Sequence, residues 1–171
     1  MGMAGPRVSR AGKGECLKVR LWIAAVGRAG RATSSGVYED YARRLTWPLE
    51  LREVELRSAP PPQKRKIRET EKLLAATPTG AVLVALDEKG ETLSSHDFAL
   101  KLRAWRDDGV ADIAFLIGGA DGLDPSVKEK AALVLSLGPM TWPHLLVRGM
   151  LAEQLYRAQS ILTGHPYHRE G

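Results

Sequence analysis

Glycine closes two short apolar runs in the carboxy-terminal half of the chain, and the residues at those closures could wall a ligand site. Residues 113–117 run into Gly118-Gly119, and residues 133–137 run into Gly138-Pro139. Short β-branched and leucine-rich runs cut off by Gly or Pro read as buried strands. A glycine at a strand end lets the backbone bend sharply and approach a ligand closely. A third run, residues 81–86, ends at Leu86-Asp87. In open parallel sheets ligands sit beyond the carboxyl ends of the strands. If these three strands are central and parallel, their loops meet in a cleft. It would offer main-chain N–H and C=O groups, with Leu86, Met140 and Trp142 as apolar walls. Such a lining suits a flat neutral heterocycle such as adenine better than a triphosphate. The alternative is that the glycines only make tight turns, but the convergence of several glycine-rich ends favours a pocket.

Familiar nucleotide and hydrolase motifs are missing. There is no G-x-x-x-x-G-K-[ST], and Gly118, Gly119 and Gly122 do not make G-x-G-x-x-G. There is no G-x-S-x-G elbow either. The tail His165-Pro166-Tyr167-His168-Arg169 has H-x-x-H spacing, which raises the idea of zinc. A metal needs at least one more ligand, His96 and His144 are the only other histidines, and no set has the usual zinc spacing, so no metal is expected. The polar, aromatic and basic tail is better suited to stacking on a base and pairing with phosphate; the alternative is a frayed terminus. Lys64, Arg65, Lys66 and Arg68 open a helical stretch after a proline hinge. Such a run is either a solvated face or an RNA contact. Basic residues at a helix start oppose the macrodipole without local reward, which favours an external partner.

The elements that must position these residues alternate along the chain. Residues 17–26 form a strand candidate ending in Gly27, and Ser34 or Ser35 caps a helix to about Leu45. Residues 49–56 alternate apolar and charged side chains, as expected of an edge strand, with one irregularity near Glu53. A proline-rich loop leads to a helix over 63–76, closed by Pro78-Thr79-Gly80. Residues 81–86 are apolar throughout, as in a strand covered on both faces. Ser94 or Ser95 caps a helix to about Arg106, and Asp124-Pro125 opens a short helix between strands 113–117 and 133–137. The last helix spans 144–162 with Val147, Leu151, Leu155, Ala158 and Leu162 on one stripe. Leu146, Met150 and Ile161 widen that apolar surface, which points to a dimer mate. The β–α alternation implies an α/β fold, a three-layer, mostly parallel sheet.

The chain has 171 residues, enough for one domain with a proper core. Its apolar runs are too short to cross a bilayer, and no signal-peptide core is visible, so a cytoplasmic location is expected. A single cysteine, Cys16, leaves no internal disulfide. Net charge is +5 with a pI near 9.5, a mild lean towards polyanions. Part of that lean comes from Arg7, Arg10 and Lys13 in residues 1–16, which read as a disordered extension preceding a single domain over 17–171.

The combined pieces resemble the ribosomal RNA large subunit methyltransferase H family, a minimal branch of the SPOUT class. The matching segments are VRLWIAAVG at 19–27, Leu86-Asp87, FLIGGADGL at 115–123, LSLGPMTWPH at 135–144, LAEQLYRA at 151–158 and HPYHRE at 165–170. Any one piece is weak, whereas the set is specific and spans nearly all of 18–170. Departures are small: Gly138-Pro139, the extension 1–16, and Trp142 at a position often aliphatic. The resemblance implies methylation of N3 of a pseudouridine in 23S rRNA with S-adenosylmethionine, a C-terminal trefoil knot and a homodimer. Carried over by position, the cofactor site comprises Leu86, Gly118, Gly119, Leu137, Gly138, Pro139, Met140, Thr141 and Trp142. Lys64, Arg65, Lys66, Tyr167, His168 and Arg169 are then the RNA-binding candidates.

Methyl transfer from a sulfonium is an in-line displacement in which positioning does much of the work. The imide N–H of the target must lose its proton, and a nearby cation would favour that loss. Arg148 and Arg169 are the candidate cations, with His144 or His168 as proton acceptor. The alternative for His144 is a helix-start residue that only packs behind Pro143. The rival from another class is a non-catalytic RNA- or ribosome-binding protein that keeps the fold, and an unrelated nucleotide-binding regulator is a third option. The cofactor-loop glycines together with Met140-Thr141 favour the enzyme.

Overall fold

Every residue from Asp112 to Ile117 is buried, and this run takes the middle of a five-stranded sheet. The computed structural model describes residues 19–29 and 35–168. The expected extension at 1–16 and the candidate Arg169 lie outside them. The strands are β1 (Arg20–Val26), β2 (Leu49–Val54), β3 (Val82–Thr92), β4 (Asp112–Ile117) and β5 (Leu133–Ser136), in the order β2-β1-β4-β3-β5. All four pairings are parallel. The helices are α1 (Ser35–Arg44), α2 (Pro62–Ala75), α3 (Ser95–Asp107), α4 (Pro125–Lys130) and α5 (His144–Thr163).

Side-chain alternation splits the interior into two cores, as the period of two in a strand requires. Leu21, Ile23, Ile113 and Phe115 face one side, where they pack with Phe98 and Leu102 of α3 and Leu151 and Leu155 of α5. Ala24, Val26 and Leu116 face the other, against Leu73 of α2 and Val127 of α4. The expected α5 stripe is therefore real: Leu151, Leu155 and Ala158 are buried, and Val147 and Leu162 pack at its ends. Local caps also follow the sequence. Ser94 Oγ accepts from the Asp97 N–H at 3.0 Å, and Asp124 Oδ1 accepts from the Ser126 N–H at 3.0 Å ahead of Pro125.

Three expectations need correction. First, β3 does not stop at Leu86-Asp87. Leu86 and Glu91 both pair with Leu135, so residues 87–90 swing out of the ladder before pairing resumes. The apolar pattern breaks there because those residues leave the sheet. Gly90 permits the return: a Cβ on it would lie 2.6 Å from the Val134 carbonyl oxygen. Second, β2 has no backbone irregularity at Glu53, since its ladder with β1 runs unbroken from Leu49 to Val54. The alternation breaks because Glu53 shares its face with Leu49 and Leu51 and uses it to reach a buried cation, Arg148. Third, β5 is an edge strand, not a central one.

Candidate cofactor pocket

Beyond the carboxyl ends of β4 and β5, and beside the 87–90 excursion of β3, lies a cleft of about 510 Å³, within the usual range for a small-molecule site. Leu86, Gly118, Gly119, Leu137, Gly138, Met140, Thr141 and Trp142 all line it, whereas Pro139 does not. Both readings of the glycines hold together. The segment 118–122 is a tight turn, closed by the Gly122 N–H donating to the Gly119 carbonyl at 3.0 Å, with Gly122 at φ 75°. Gly118 lies so close to the turn's far end that a Cβ would sit 2.7 Å from the Gly122 carbonyl carbon. The turn's backbone then forms one wall of the cleft.

The opposite wall is pinned by Ser136. Its hydroxyl lies 3.0 Å from the carbonyl oxygens of both Glu88 and Gly138 and accepts from the Gly138 N–H at 3.1 Å. Gly138 itself has φ 115°, a conformation that favours glycine. The 87–90 excursion of β3 and the loop after β5 are thus tied together through one hydroxyl. Met140 and Trp142 stand at the rim, 66% and 37% exposed.

Polar side chains that the sequence reading passed over also reach the cleft. Lys128 forms an ion pair with Asp87, which also accepts from the Lys89 N–H at 2.9 Å. Burial alone would raise the Asp87 carboxyl, but the Lys128 ammonium and that N–H hold it below the ordinary carboxylate range. Thr141 Oγ1 donates to Glu88 Oε2 at 3.0 Å across the mouth. Asp121 lines the turn, and Glu69 of α2 is buried behind Gly119. Burial, then the neighbouring Asp121, pushes the Glu69 carboxyl upward, while Arg65 and His144 pull it back. Asp121 was legible within GGADGL as a loop residue; Glu69 carried no linear signal at all.

The candidate catalytic residues fall in three places. His144, the first residue of α5, lines the cleft. Arg148, one turn on, does not: its side chain is 2% exposed and lies 2.6 Å from Glu53. It also donates to the carbonyls of Val26 and Gly27 at 3.1 and 2.7 Å. Its two terminal nitrogens are committed to the scaffold, while its Nε is buried without a hydrogen-bond partner. Tyr167 folds back onto α1 and α5, its hydroxyl 3.0 Å from that of Tyr41 and 3.1 Å from Glu153 Oε1. Arg157 lies over the Tyr167 ring and within 3.5 Å of His168 Nδ1. None of these tail contacts is with a residue lining the cleft.

The basic run at the start of α2 divides likewise. Lys66 lines the cleft, Arg65 stands 3.4 Å from Asp121, and Lys64 is exposed. No group of three His, Cys, Asp or Glu side chains gathers among the described residues. No helix of the described residues is long and apolar enough to cross a membrane. The cleft offers backbone hydrogen-bonding groups and apolar walls beside the Lys128–Asp87 pair and Glu88 at the β3–β5 end, and Lys66 with Asp121 at the α2 end.

The chain is 59% identical over 151 residues to Ribosomal RNA large subunit methyltransferase H of Rhodospirillum centenum, covering 88% of this chain and 99% of that one. The protein of the same name from Paramagnetospirillum magneticum is 57% identical over 151 residues, with the same coverage. Among solved structures, a probable methylase family protein from Haemophilus influenzae Rd KW20 shares the fold at TM-score 0.50 and 11% identity, over 91% of this chain and 70% of that one. Residues 19–168 match the family described as "Predicted SPOUT methyltransferase". With its strand-end cleft and nearly full-length relatives, the chain belongs to the SPOUT methyltransferase family.

Proposed function

We propose that this chain transfers a methyl group from S-adenosylmethionine to N3 of a pseudouridine in the 23S rRNA of the large ribosomal subunit, as a homodimer in the bacterial cytoplasm. The observation that carries the reading is the cleft of about 510 Å³ walled by the loops after β4 and β5 and by the excursion of β3. Its relatives named for methylation of large-subunit rRNA supply the substrate class. The residues present fit the donor. Leu86 and Leu137 give the cleft apolar lining for a flat ring, and the backbone of Gly118, Leu137, Gly138, Met140, Thr141 and Trp142 would offer hydrogen bonds to its edge. When bound, the donor supplies a sulfonium methyl group open to in-line displacement.

The chain's own contribution is placement and proton handling. His144 stands at the rim, where its imidazole would accept the N3 proton as the base enters. Arg148 does not line the cleft and both its terminal nitrogens are bound by Glu53 and by β1 carbonyls, so its part is to hold α5 against β1 and β2. The cation beside the developing imidate is then Arg169 of the tail, with Tyr167 and His168 gripping the RNA. Because Tyr167 and His168 dock away from the cleft of their own chain, a second chain would bring the tail to it. A second cavity of about 600 Å³ supports that pairing, its apolar wall formed by Val37, Leu93, Leu146 and Met150. The fold would carry the C-terminal trefoil knot that the family resemblance implies. Lys64 and Arg68, both exposed on α2, would meet backbone phosphates.

The deciding experiment is mass spectrometry of 23S rRNA from a deletion strain, complemented with the wild type or with Arg169→Ala. One methyl should disappear from one pseudouridine and return only with the wild type. An unchanged rRNA in the deletion strain would refute the reading.

A further inference from the structure

The fold treats the four tryptophans of the chain unequally. Trp47 and Trp105 pack against the larger core. Trp22 donates to Asp112 Oδ1 at 2.8 Å, and the Arg52 guanidinium lies 5.4 Å from its ring centre. Trp142 has neither kind of support: among the described residues nothing stacks on its ring or accepts from its indole N–H. It stands 37% exposed on the rim of the cleft, close in the chain to Met140, which is 66% exposed. Val37 and Ile67 are the other large apolar side chains exposed among the described residues, and neither lines this cleft. Apolar surface is unfavourable while it faces water, so an uncovered indole beside a ligand cleft calls for a flat partner.

The segment that carries this ring is built to hold still. Pro139 and Pro143 bracket Met140, Thr141 and Trp142, and each proline fixes its own φ and restricts the residue before it. Thr141 Oγ1 ties the segment to Glu88, and the Pro143 carbonyl accepts from the Leu146 N–H at 2.9 Å where α5 begins. Little backbone freedom is left to lose when a partner arrives. His144 follows at once and lines the same cleft. The acids of the cleft are engaged, Asp87 by Lys128, Glu88 by Thr141 and Asp121 by Arg65, whereas Lys66 and Lys89 add ammonium groups to the lining. An aromatic face beside ammonium groups is the complement of a nucleobase on its phosphate backbone.

We infer that the Trp142 side chain is the stacking platform for the pseudouridine ring as it enters the cleft. Met140 covers the ring beside it, and Lys66 and Lys89 meet the flanking phosphates. The inference rests on the methyl-transfer reading above, which assigns the main chain of Trp142 to the donor and leaves its side chain without a task. A base taken out of its helix loses its stacking neighbours, and an indole replaces one of them. Such a platform grips the face of the ring and leaves its edge, with N3, open to His144 and to the methyl group.

The test sets methyl transfer to ribosomes from a deletion strain beside calorimetry with S-adenosylhomocysteine, for the wild type, Trp142→Leu and Trp142→Phe. Leucine keeps an apolar side chain without a flat face, and phenylalanine keeps the face. Trp142→Leu should lose about tenfold in kcat/KM for ribosomes, and Trp142→Phe should stay within about threefold of the wild type. Both should bind S-adenosylhomocysteine within about twofold of the wild type, which also shows that they are folded. A loss of donor affinity as large as the loss of kcat/KM would make the ring a wall of the donor site and overturn the inference. Unchanged kcat/KM in Trp142→Leu, or an equal loss in Trp142→Phe, would overturn it as well. So would a leucine variant that sediments at a different mass from the wild type, since the ring would then belong to a contact between chains. A wild type that binds S-adenosylhomocysteine yet leaves those ribosomes unmethylated is a separate result, removing the rRNA reading and this inference with it.

Discussion

Arg148 of α5 lies 2.6 Å from Glu53 of β2, joining residues 95 positions apart in the chain. The same Glu53 oxygen accepts from the Ala29 N–H at 2.8 Å, while the guanidinium caps the carbonyls of Val26 and Gly27. The carboxyl end of β1, the edge strand β2 and the helix that begins at the cleft are thereby fastened at one point. Arg148→Met should strip the donors from three acceptors and cost about 3 kcal/mol of stability, because breaking a buried pair leaves its partner uncompensated. Chemical denaturation would measure it. A variant of unchanged stability that has lost methyl transfer would return Arg148 to the chemistry.

Gly118→Ala tests the turn. The new Cβ would meet the backbone of Gly122 and Leu123 at 2.7–3.0 Å, and backbone cannot rotate aside as a side chain can. We expect a loss of about 1–3 kcal/mol in stability together with weakened binding of the methyl donor. Calorimetry and thermal melting on the same variant would report both. Gly36, whose Cβ would meet nothing within 4 Å, is the control position.

Glu69 gives a pH-dependent prediction. Burial, then Asp121, raises its carboxyl above the ordinary value of 4.5 in the folded chain. A raised folded value favours the protonated form, so the contribution to stability is full below about pH 4.5 and is lost as pH rises through the folded value. Glu69→Gln, which mimics the neutral side chain, should therefore stabilise the protein at pH 7–8 by about 1 kcal/mol, or roughly 2–4 °C in Tm. The gain should vanish in acid. Destabilisation at neutral pH would mean that the attraction of Arg65 outweighs burial.

The tail offers a separation of binding from turnover. Tyr167 is held by Tyr41, Glu153 and the Arg157 guanidinium, 4.9 Å from its ring centre. Tyr167→Ala should lower methyl transfer to ribosomes by about tenfold or more while changing donor affinity by less than about twofold. Single-turnover assays beside calorimetry would separate the two. Equal losses in both would place the tail within the donor site of its own chain.

Sequence alone determined whatever depends on near neighbours. Apolar runs marked four strands and an alternating run marked β2, Ser94 or Ser95 and Asp124-Pro125 marked two helix starts, and the glycines after β4 and β5 marked the loops that wall the cleft. Each signal is local because strand burial, capping and glycine's backbone freedom act within a few residues. The resemblance supplied the family and its cofactor positions, of which only Pro139 falls outside the lining.

Tertiary structure decided the rest, because the physics there joins groups distant in the chain. The second half of β3 is polar and reads as loop, yet it returns to the sheet because the β5 backbone supplies partners for Glu91 and Thr92. Glu53 looks like a break in a strand until Arg148 arrives from α5. Glu69 looks like one more charge on a basic helix until the β4 turn covers it. A charged side chain's role is set by what remains to solvate it once the chain has closed, and that is a property of the packed interior.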